Sequence, residues 1–216
     1  ITNIFIKTHI VKICVKIRRS FNFIRSVTVN HCLGVLNDSC IKVGFINMLI
    51  KIIGDINPKY LIVAFDRKEP TFRHQMYAEY KGTRKPMPAE LHEQVPMIQE
   101  VLASMNICVI TAPGFEADDV IGTIAKRAEA DGYITTIISG DRDLLQLVSD
   151  KVTLRIPKTK AGKTIVEDYD PAAVMEAYSL TPEQIIDLKG LMGDASDNIP
   201  GLYGVGEKTA TKLLVK

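Results

Sequence analysis

None of the four cysteines (Cys14, Cys32, Cys40, Cys108) stands in a CxxC pair, and the four histidines (His9, His31, His74, His92) lack zinc-ligand spacing. That pattern argues against a disulfide scaffold and a zinc site, and leaves reduced thiols in a cytosolic protein. No uncharged apolar run approaches the ~18 residues a membrane span needs. Internal repeats and low-complexity tracts are also missing. Net charge is only +2 over 216 residues, so any nucleic-acid affinity must come from local patches. One absence is local: residues 1–37 contain no Asp or Glu, yet carry Lys7, Lys12, Lys16, Arg18, Arg19 and Arg25. An organelle presequence is basic and acid-poor in this way. The stretch is nevertheless crowded with Ile and Val and shows no clear amphipathic face, which favours a cytoplasmic location over an organelle. The chain opens at Ile1 and ends inside the helix-like TATKLLVK, as a fragment would.

What is present is ordinary in bulk: 46% apolar and 24% charged residues, enough for one large domain or a domain with a small appendage. From about residue 42 onward, helix and strand patterns alternate. KVGFINMLIKIIGDI reads as a helix closed by Gly54 and Pro58, and YLIVAF (60–65) as a short buried strand. Leu91, Val95, Ile98, Leu102 and Met105 share one helical face, ICVIT (107–111) is a strand, and ADDVIGTIAKRAEA is a helix with Val120, Ile121, Ile124 and Ala128 inward. YITTIIS (133–139) is a strand again. The alternation predicts an α/β fold, a mostly parallel sheet with helices on both faces. After about residue 150, VTLRIP and TIVED predict a hairpin around Ala161-Gly162, and the rest reads as helical. The expected divisions are 1–41, 42–150 and 151–216. Segment 67–90 interrupts the core with a long, basic, Tyr-interleaved insertion, a kind more often functional than idle.

The acidic residues fall at strand ends. Asp66 follows YLIVAF; Glu116, Asp118 and Asp119 follow ICVIT at the start of a helix; Asp141 and Asp143 follow YITTIIS. In open α/β sheets, ligands bind outside the carboxyl ends of the strands. Asp194 and Asp197 lie in a turn from which they could reach the same edge. Any single group could be a helix-start acid, favoured by the dipole at about 0.3–1 kcal/mol. Convergence changes that: two carboxylates ~4 Å apart repel by about 4 kcal/mol at an effective dielectric near 20. Such a cluster needs protons or cations. Oxygen donors without His or Cys point to magnesium or manganese, and the surplus of carboxylates to two ions clamping a displacement at phosphorus.

AFD (64–66), FRHQMYAEYKGTR (72–84), EADDVIGTIAKRA (116–128), SGDRDLLQLV (139–148), LTPEQIIDLKGLMGDASDNIPG (180–201) and GVGEKTA (204–210) together resemble the 5'-nuclease (flap endonuclease-like) family, most closely the 5'→3' exonuclease domains that precede bacterial polymerase domains. The resemblance covers roughly 42–216. It implies that Asp66, Glu116, Asp118, Asp119, Asp141, Asp143, Asp194 and Asp197 hold two divalent ions, with Asp141 among the catalytic residues. It makes 67–90 part of a helical arch that admits a single-stranded 5' end. Lys81 and Arg84 then steer the scissile phosphate, Arg73 contacts DNA, and Tyr77 and Tyr80 offer faces for stacking on an unpaired base. GLYGVGEKT is not a Walker A loop, because Glu207 separates Gly206 from Lys208 and no strand precedes it. The resemblance makes it a helix–hairpin–helix element instead. Gly201, Gly204, Gly206, Lys208 and Thr209 would grip duplex backbone, with a potassium ion, and without base readout.

The implied activity is 5'→3' exonuclease or 5'-flap endonuclease action on DNA in replication and repair, by a monomer, with polymerase domains as companions if the chain is a fragment. The departure is at the start. The family opens with a strand ending in Asp-Gly-Asn, whose Asp is a metal ligand; here ITNIFI runs into KTHIVK, with Lys7 near the expected Asp, and Asp38 comes too late. Residues 7 to about 36 read as a displaced frame or decayed segment. The alternative function is therefore a catalytically impaired, structure-selective DNA-binding protein.

Overall fold

The computed structural model describes residues 12–14, 41–85, 89–160 and 163–215. The supposed opening strand ITNIFI, Lys7, Asp38 and nearly all of the segment read as displaced lie outside the described residues, as does the Ala161-Gly162 turn.

Helix α1 (Ile41–Ile56) forms because Phe45, Ile46, Leu49, Ile52 and Ile56 recur at steps of three and four and are buried on one stripe. It stops where Asn57 adopts a left-handed conformation (φ 47°) ahead of Pro58, its N–H returning to the Ile53 carbonyl at 2.8 Å. Next come β2 (Ile62–Ala64), the short α2 (Phe72–Met76), α3 (Ala89–Ser104), β3 (Cys108–Ile110), α4 (Ala117–Ala130) and β4 (Thr135–Ile138). A 3-10 turn at Arg142–Leu147 leads to β5 (Val152–Lys160) and β6 (Lys163–Tyr169), followed by α5 (Pro171–Tyr178) and α6 (Gln184–Met192). The two-residue strands β7 (Gly193–Asp194) and β8 (Ile199–Pro200) pair with each other, and α7 (Glu207–Leu214) closes the described chain. No described helix is long and apolar enough to cross a membrane.

Alternate residues of the strands face opposite sides of the sheet. Val63, Phe65 and Ile138 pack with α1 and with Ile98 and Leu102 of α3; Ala64 and Ile137 pack with α4 and, through Leu144 and Leu145, with the C-terminal helices. Helices thus cover both faces. Residues 151–169, grouped by sequence with the C-terminal region, supply the fifth and sixth strands of this same sheet.

The sheet order is β3-β2-β1-β4-β5-β6, with β1 at Lys12–Cys14. It is mixed, and the expectation of a mostly parallel sheet is corrected. The β2–β3 and β4–β5 ladders are parallel, but β1–β2, β1–β4 and β5–β6 are antiparallel. For β6 the reason is the tight connection: a two-residue link can join only antiparallel strands. Strand β1 enters the centre reversed, Lys12 opposite Ala64 and Cys14 opposite Ile62, a pairing slightly stronger per residue than a parallel one. β3, β2, β4 and β5 still point the same way, so the carboxyl ends of β2, β3 and β4 meet at one edge.

Among its described residues, the 67–90 segment holds one five-residue helix, a run of turns and the start of α3. It is pinned down by Tyr80, 5% exposed, and by Lys81 N–H and Asn198 Nδ2, which donate to the carbonyls of Asp197 and Glu79 at 2.8 Å each.

Candidate active site

An open cleft of about 560 Å³ lies along the edge where β2, β3 and β4 end. Asp66, Glu116, Asp118, Asp119, Asp141, Asp143 and Asp197 line it, together with Arg73, Tyr80, Lys81 and Arg84. Asp194 stands just behind, joined to Asp143 through Lys189.

Local chain geometry sets each group. Asp66 leaves β2 and its Oδ1 accepts the Ala117 N–H at 2.7 Å, tying strand β2 to the start of α4. Glu116 is the N-cap of α4, and its own N–H donates to Asp119 Oδ2 at 2.9 Å, which turns the first helical turn into an acidic rim. Asp141 caps the 3-10 turn by accepting the Asp143 N–H at 2.9 Å. Asp194 Oδ1 accepts from Ser196 N–H (2.8 Å), Ser196 Oγ (2.7 Å) and Asp197 N–H (3.3 Å), shaping the turn that carries Asp197.

Basic side chains neutralise much of this charge. Arg73 clamps both oxygens of Asp119 at 2.7 Å each, and Lys81 Nζ reaches Glu116 Oε1 at 2.6 Å. Arg84 Nη2 binds Asp197 Oδ1 while its Nε donates to the Ser196 carbonyl at 3.0 Å. Lys189 bridges Asp143 (2.7 Å) and Asp194 (2.8 Å). Tyr80 hydroxyl links the two sides, at 2.9 Å from Asp197 Oδ2 and 3.2 Å from Glu116 Oε2. Lys81 sits at φ 58°, a left-handed conformation uncommon for a side-chain residue, held by its N–H bond to Asp197 O and by the Arg84 N–H returning to its own carbonyl.

The titration of these groups follows from burial against pairing. Burial opposes the Asp119 charge, but the Arg73 bonds outweigh it and its pKa falls below the usual carboxylate value. Asp194 follows the same pattern, burial being overcome by Lys189 and Ser196. For Asp143 burial wins, aided by the Asp141 charge, and its pKa rises. Lys189, although partly desolvated, is pushed up to about 12 by Asp143 and Asp194. Burial first, then Glu116 and Asp197, raise the Tyr80 hydroxyl.

The donor set is carboxylate oxygen throughout, the chemistry that suits a hard divalent cation. As the side chains are placed, no three His, Cys, Asp or Glu among the described residues converge on one ion position. The physical reason is in the pairs above: much of the acidic rim is turned toward an ammonium or guanidinium.

Two further expected contacts, Tyr80 and Arg73, line the cleft and are tied into it. Tyr80 is buried with its hydroxyl inward, so its face is not offered to a base, and Arg73 is engaged with Asp119. Tyr77, half-exposed, does not line the cleft. Gly201, Gly204, Gly206, Lys208 and Thr209 lie in the α6–α7 connection and the first turn of α7, away from it. A Cβ on Gly201 would stand 2.2 Å from the Met192 carbonyl carbon, and Gly204 has φ 75°, so both glycines answer to backbone geometry first. Sequence reasoning missed Lys189, a lone cation on an otherwise apolar helix face, and the exposed rings of Phe72 and Phe115 on the cleft lip. The position of Lys189 five residues ahead of Asp194 was the available signal.

Against known proteins, the family model of the 5'-3' exonuclease N-terminal resolvase-like domain matches residues 17–179, and that of the 5'-3' exonuclease C-terminal SAM fold matches 180–216. The first match begins inside the stretch that reads as divergent. DNA polymerase I of Bacillus caldotenax is 55% identical over 171 residues, 79% of this chain and 19% of that protein. DNA polymerase I of Bacillus subtilis (strain 168) is 54% identical over the same shares. The chain thus spans about a fifth of the length of these curated relatives. Among solved structures, a bacteriophage T5 5'-exonuclease with divalent zinc ions bound aligns with a TM-score of 0.67 at 26% identity, covering 82% of this chain and 67% of that one. A T5 flap endonuclease in a pseudo-enzyme-product complex with DNA and metal ions aligns at 0.66 with 27% identity, covering 80% of this chain and 65% of that one.

Proposed function

Because the chain belongs to the 5'-3' exonuclease family, we propose that it hydrolyses phosphodiester bonds at 5' ends or 5'-flap junctions of DNA, leaving 5'-phosphates. In that reaction a water oxygen bonds to phosphorus as the bond to the leaving 3' oxygen breaks, and the leaving oxygen takes up a proton. The observation that carries this reading is the gathering of seven carboxylates beside Lys81 and Arg84 in one cleft at the strand ends. Asp66, Glu116, Asp118, Asp119, Asp141, Asp143, Asp194 and Asp197 would hold two magnesium or manganese ions. Bound there, such a pair supplies water of lowered pKa and charge neutralisation at phosphorus. Lys81 and Arg84 steer the scissile phosphate and offset its developing charge. For ions to enter, carboxylates must exchange an ammonium or guanidinium partner for a metal, which frees Lys81 and Arg84 to meet the phosphate. Remote from the chemistry, the α6–α7 connection grips duplex backbone through N–H groups near Gly204 and Gly206 and through Lys208, with a potassium ion as its counterpart.

A second reading, a structure-selective DNA binder with impaired catalysis, is favoured by one observation. The sequence holds no Asp-Gly-Asn, and Lys7 stands near the place where the resemblance implies an aspartate ligand. Incubation of the chain with a labelled 5'-flap duplex in magnesium or in EDTA separates the two. Magnesium-dependent release of the flap supports the nuclease; salt-sensitive, flap-selective binding without release supports the binder.

A further inference from the structure

We propose that Phe72 and Phe115 form a stacking platform for an unpaired nucleobase adjacent to the phosphate held in the acidic cleft. This rests on the nucleic-acid reading above and adds a subsite to it. Tyr80, whose hydroxyl meets the carboxylates, is buried and spends that hydroxyl on Glu116 and Asp197. The aromatic surface that the cleft does offer belongs to the other two rings. Phe115 is 51% exposed although it directly precedes the buried Glu116, and Phe72 is 36% exposed. Both line the same cleft as Asp118, Asp141 and Lys81.

The rings are mounted rigidly. Phe72 N–H donates to the Gly114 carbonyl at 3.0 Å, joining the start of α2 to the loop that carries Phe115. Their centroids lie 5.7 Å apart at 54°, a tilted pair rather than a closed stack. The Arg73 guanidinium sits 4.5 Å from the Phe72 centroid while clamped to Asp119, so it fixes that ring and supports it from one side. Two large apolar rings exposed at the mouth of a highly charged cleft need a partner that is flat, apolar on its faces and tied to an anion. A nucleotide has all three properties: its phosphate meets Lys81 and Arg84, and its base meets the rings. Since every base has a π-face, the platform is indifferent to sequence.

The test uses the full chain and a 5'-flap duplex carrying 2-aminopurine at either nucleotide flanking the junction phosphate, with binding read by anisotropy and stacking by 2-aminopurine fluorescence in calcium. Three proteins are compared: unaltered, Phe115→Leu and Phe115→Tyr. The unaltered chain is expected to change the fluorescence at one of the two positions. Phe115→Leu should abolish that change and weaken binding about tenfold, within what base–aromatic stacking contributes, and Phe115→Tyr should retain both. An abasic residue at the responsive position should weaken binding by the unaltered chain but not further by Phe115→Leu. Equal affinity and fluorescence for the unaltered chain and Phe115→Leu would overturn the platform while leaving the nuclease reading standing. No binding of the flap by the unaltered chain would overturn both.

Discussion

On the function proposed above, the acidic cleft and the α6–α7 connection would meet the same polyanion by opposite means. In the cleft, charged side chains converge from distant parts of the chain, and many are fixed by a partner of the other sign: Arg73 with Asp119, Lys81 with Glu116, Arg84 with Asp197, Lys189 with Asp143 and Asp194. In the connection, glycines and main-chain geometry dominate, Tyr203 and Leu202 are exposed, and Ala210 is the anchor packed into the core. The contrast suggests a division of labour. Chemistry at phosphorus needs concentrated charge held in place against its own repulsion, whereas grip on a backbone needs only N–H groups, a few cations and freedom from sequence.

That contrast can be broken at several points, in order of expected effect. Asp141→Asn keeps an acceptor for the Asp143 N–H but removes the charge; flap cleavage should fall by about 100-fold or more, beyond what outer-shell changes cost, with little change in melting temperature. Arg84→Ala and Lys81→Ala should each lower the single-turnover rate by about 100-fold at saturating DNA, the scale of losing one transition-state donor. Gly201→Ala acts on the other region. Its methyl group would meet the Met192 backbone at 2.2 Å, so a loss of roughly 1–3 kcal/mol in stability is expected by calorimetry, with duplex affinity falling more than the rate of bound substrate. Lys208→Ala should be smallest, lowering the slope of log affinity against log salt by about one without altering the cleavage site.

Acid titration probes the cleft together with Glu129 and Glu167, whose pKa values are also lowered, by Ser149 and by Lys158. Asp119 and Asp194 have folded pKa values below the ordinary carboxylate value. Their stabilisation is therefore whole above the unfolded value of about 3.9 and is lost as pH falls toward the folded values. Asp143 has the opposite sign: its raised pKa means it takes up a proton sooner when folded than when unfolded, and mild acid relieves it. Stability should hold or rise slightly from pH 7 to about 5 and fall below about 4; chemical denaturation across that range would show it, and a steady decline from neutrality would count against these pairings.

The strand and helix positions were legible because burial follows periodicity: Ile98, Leu102, Val120 and Ile121 lie inward as their spacing requires. The placing of Asp66, Asp119 and Asp141 at one edge followed from strand ends alone. Strand direction was not legible. β1 is a three-residue piece whose sequence fits either orientation, and register and direction are settled by partners distant in sequence. Nor were the counter-ions. That Lys81 meets Glu116 and Arg84 meets Asp197 depends on the 77–84 turns folding against residues 194–198, a contact that no local pattern encodes. The burial of Tyr80 was hidden for the same reason: an aromatic residue in a basic, polar segment looks like an exposed face until tertiary packing buries it.

The most direct test of the cleft as a two-ion site is electron paramagnetic resonance of the full chain titrated with manganese, beside Asp119→Asn and Asp141→Asn. The expected result is two bound ions with a spin-coupled signal in the unaltered chain, reduced to one or to an uncoupled signal in either variant. Manganese bound equally by all three proteins, or not bound by the unaltered chain, would contradict the assignment of these carboxylates.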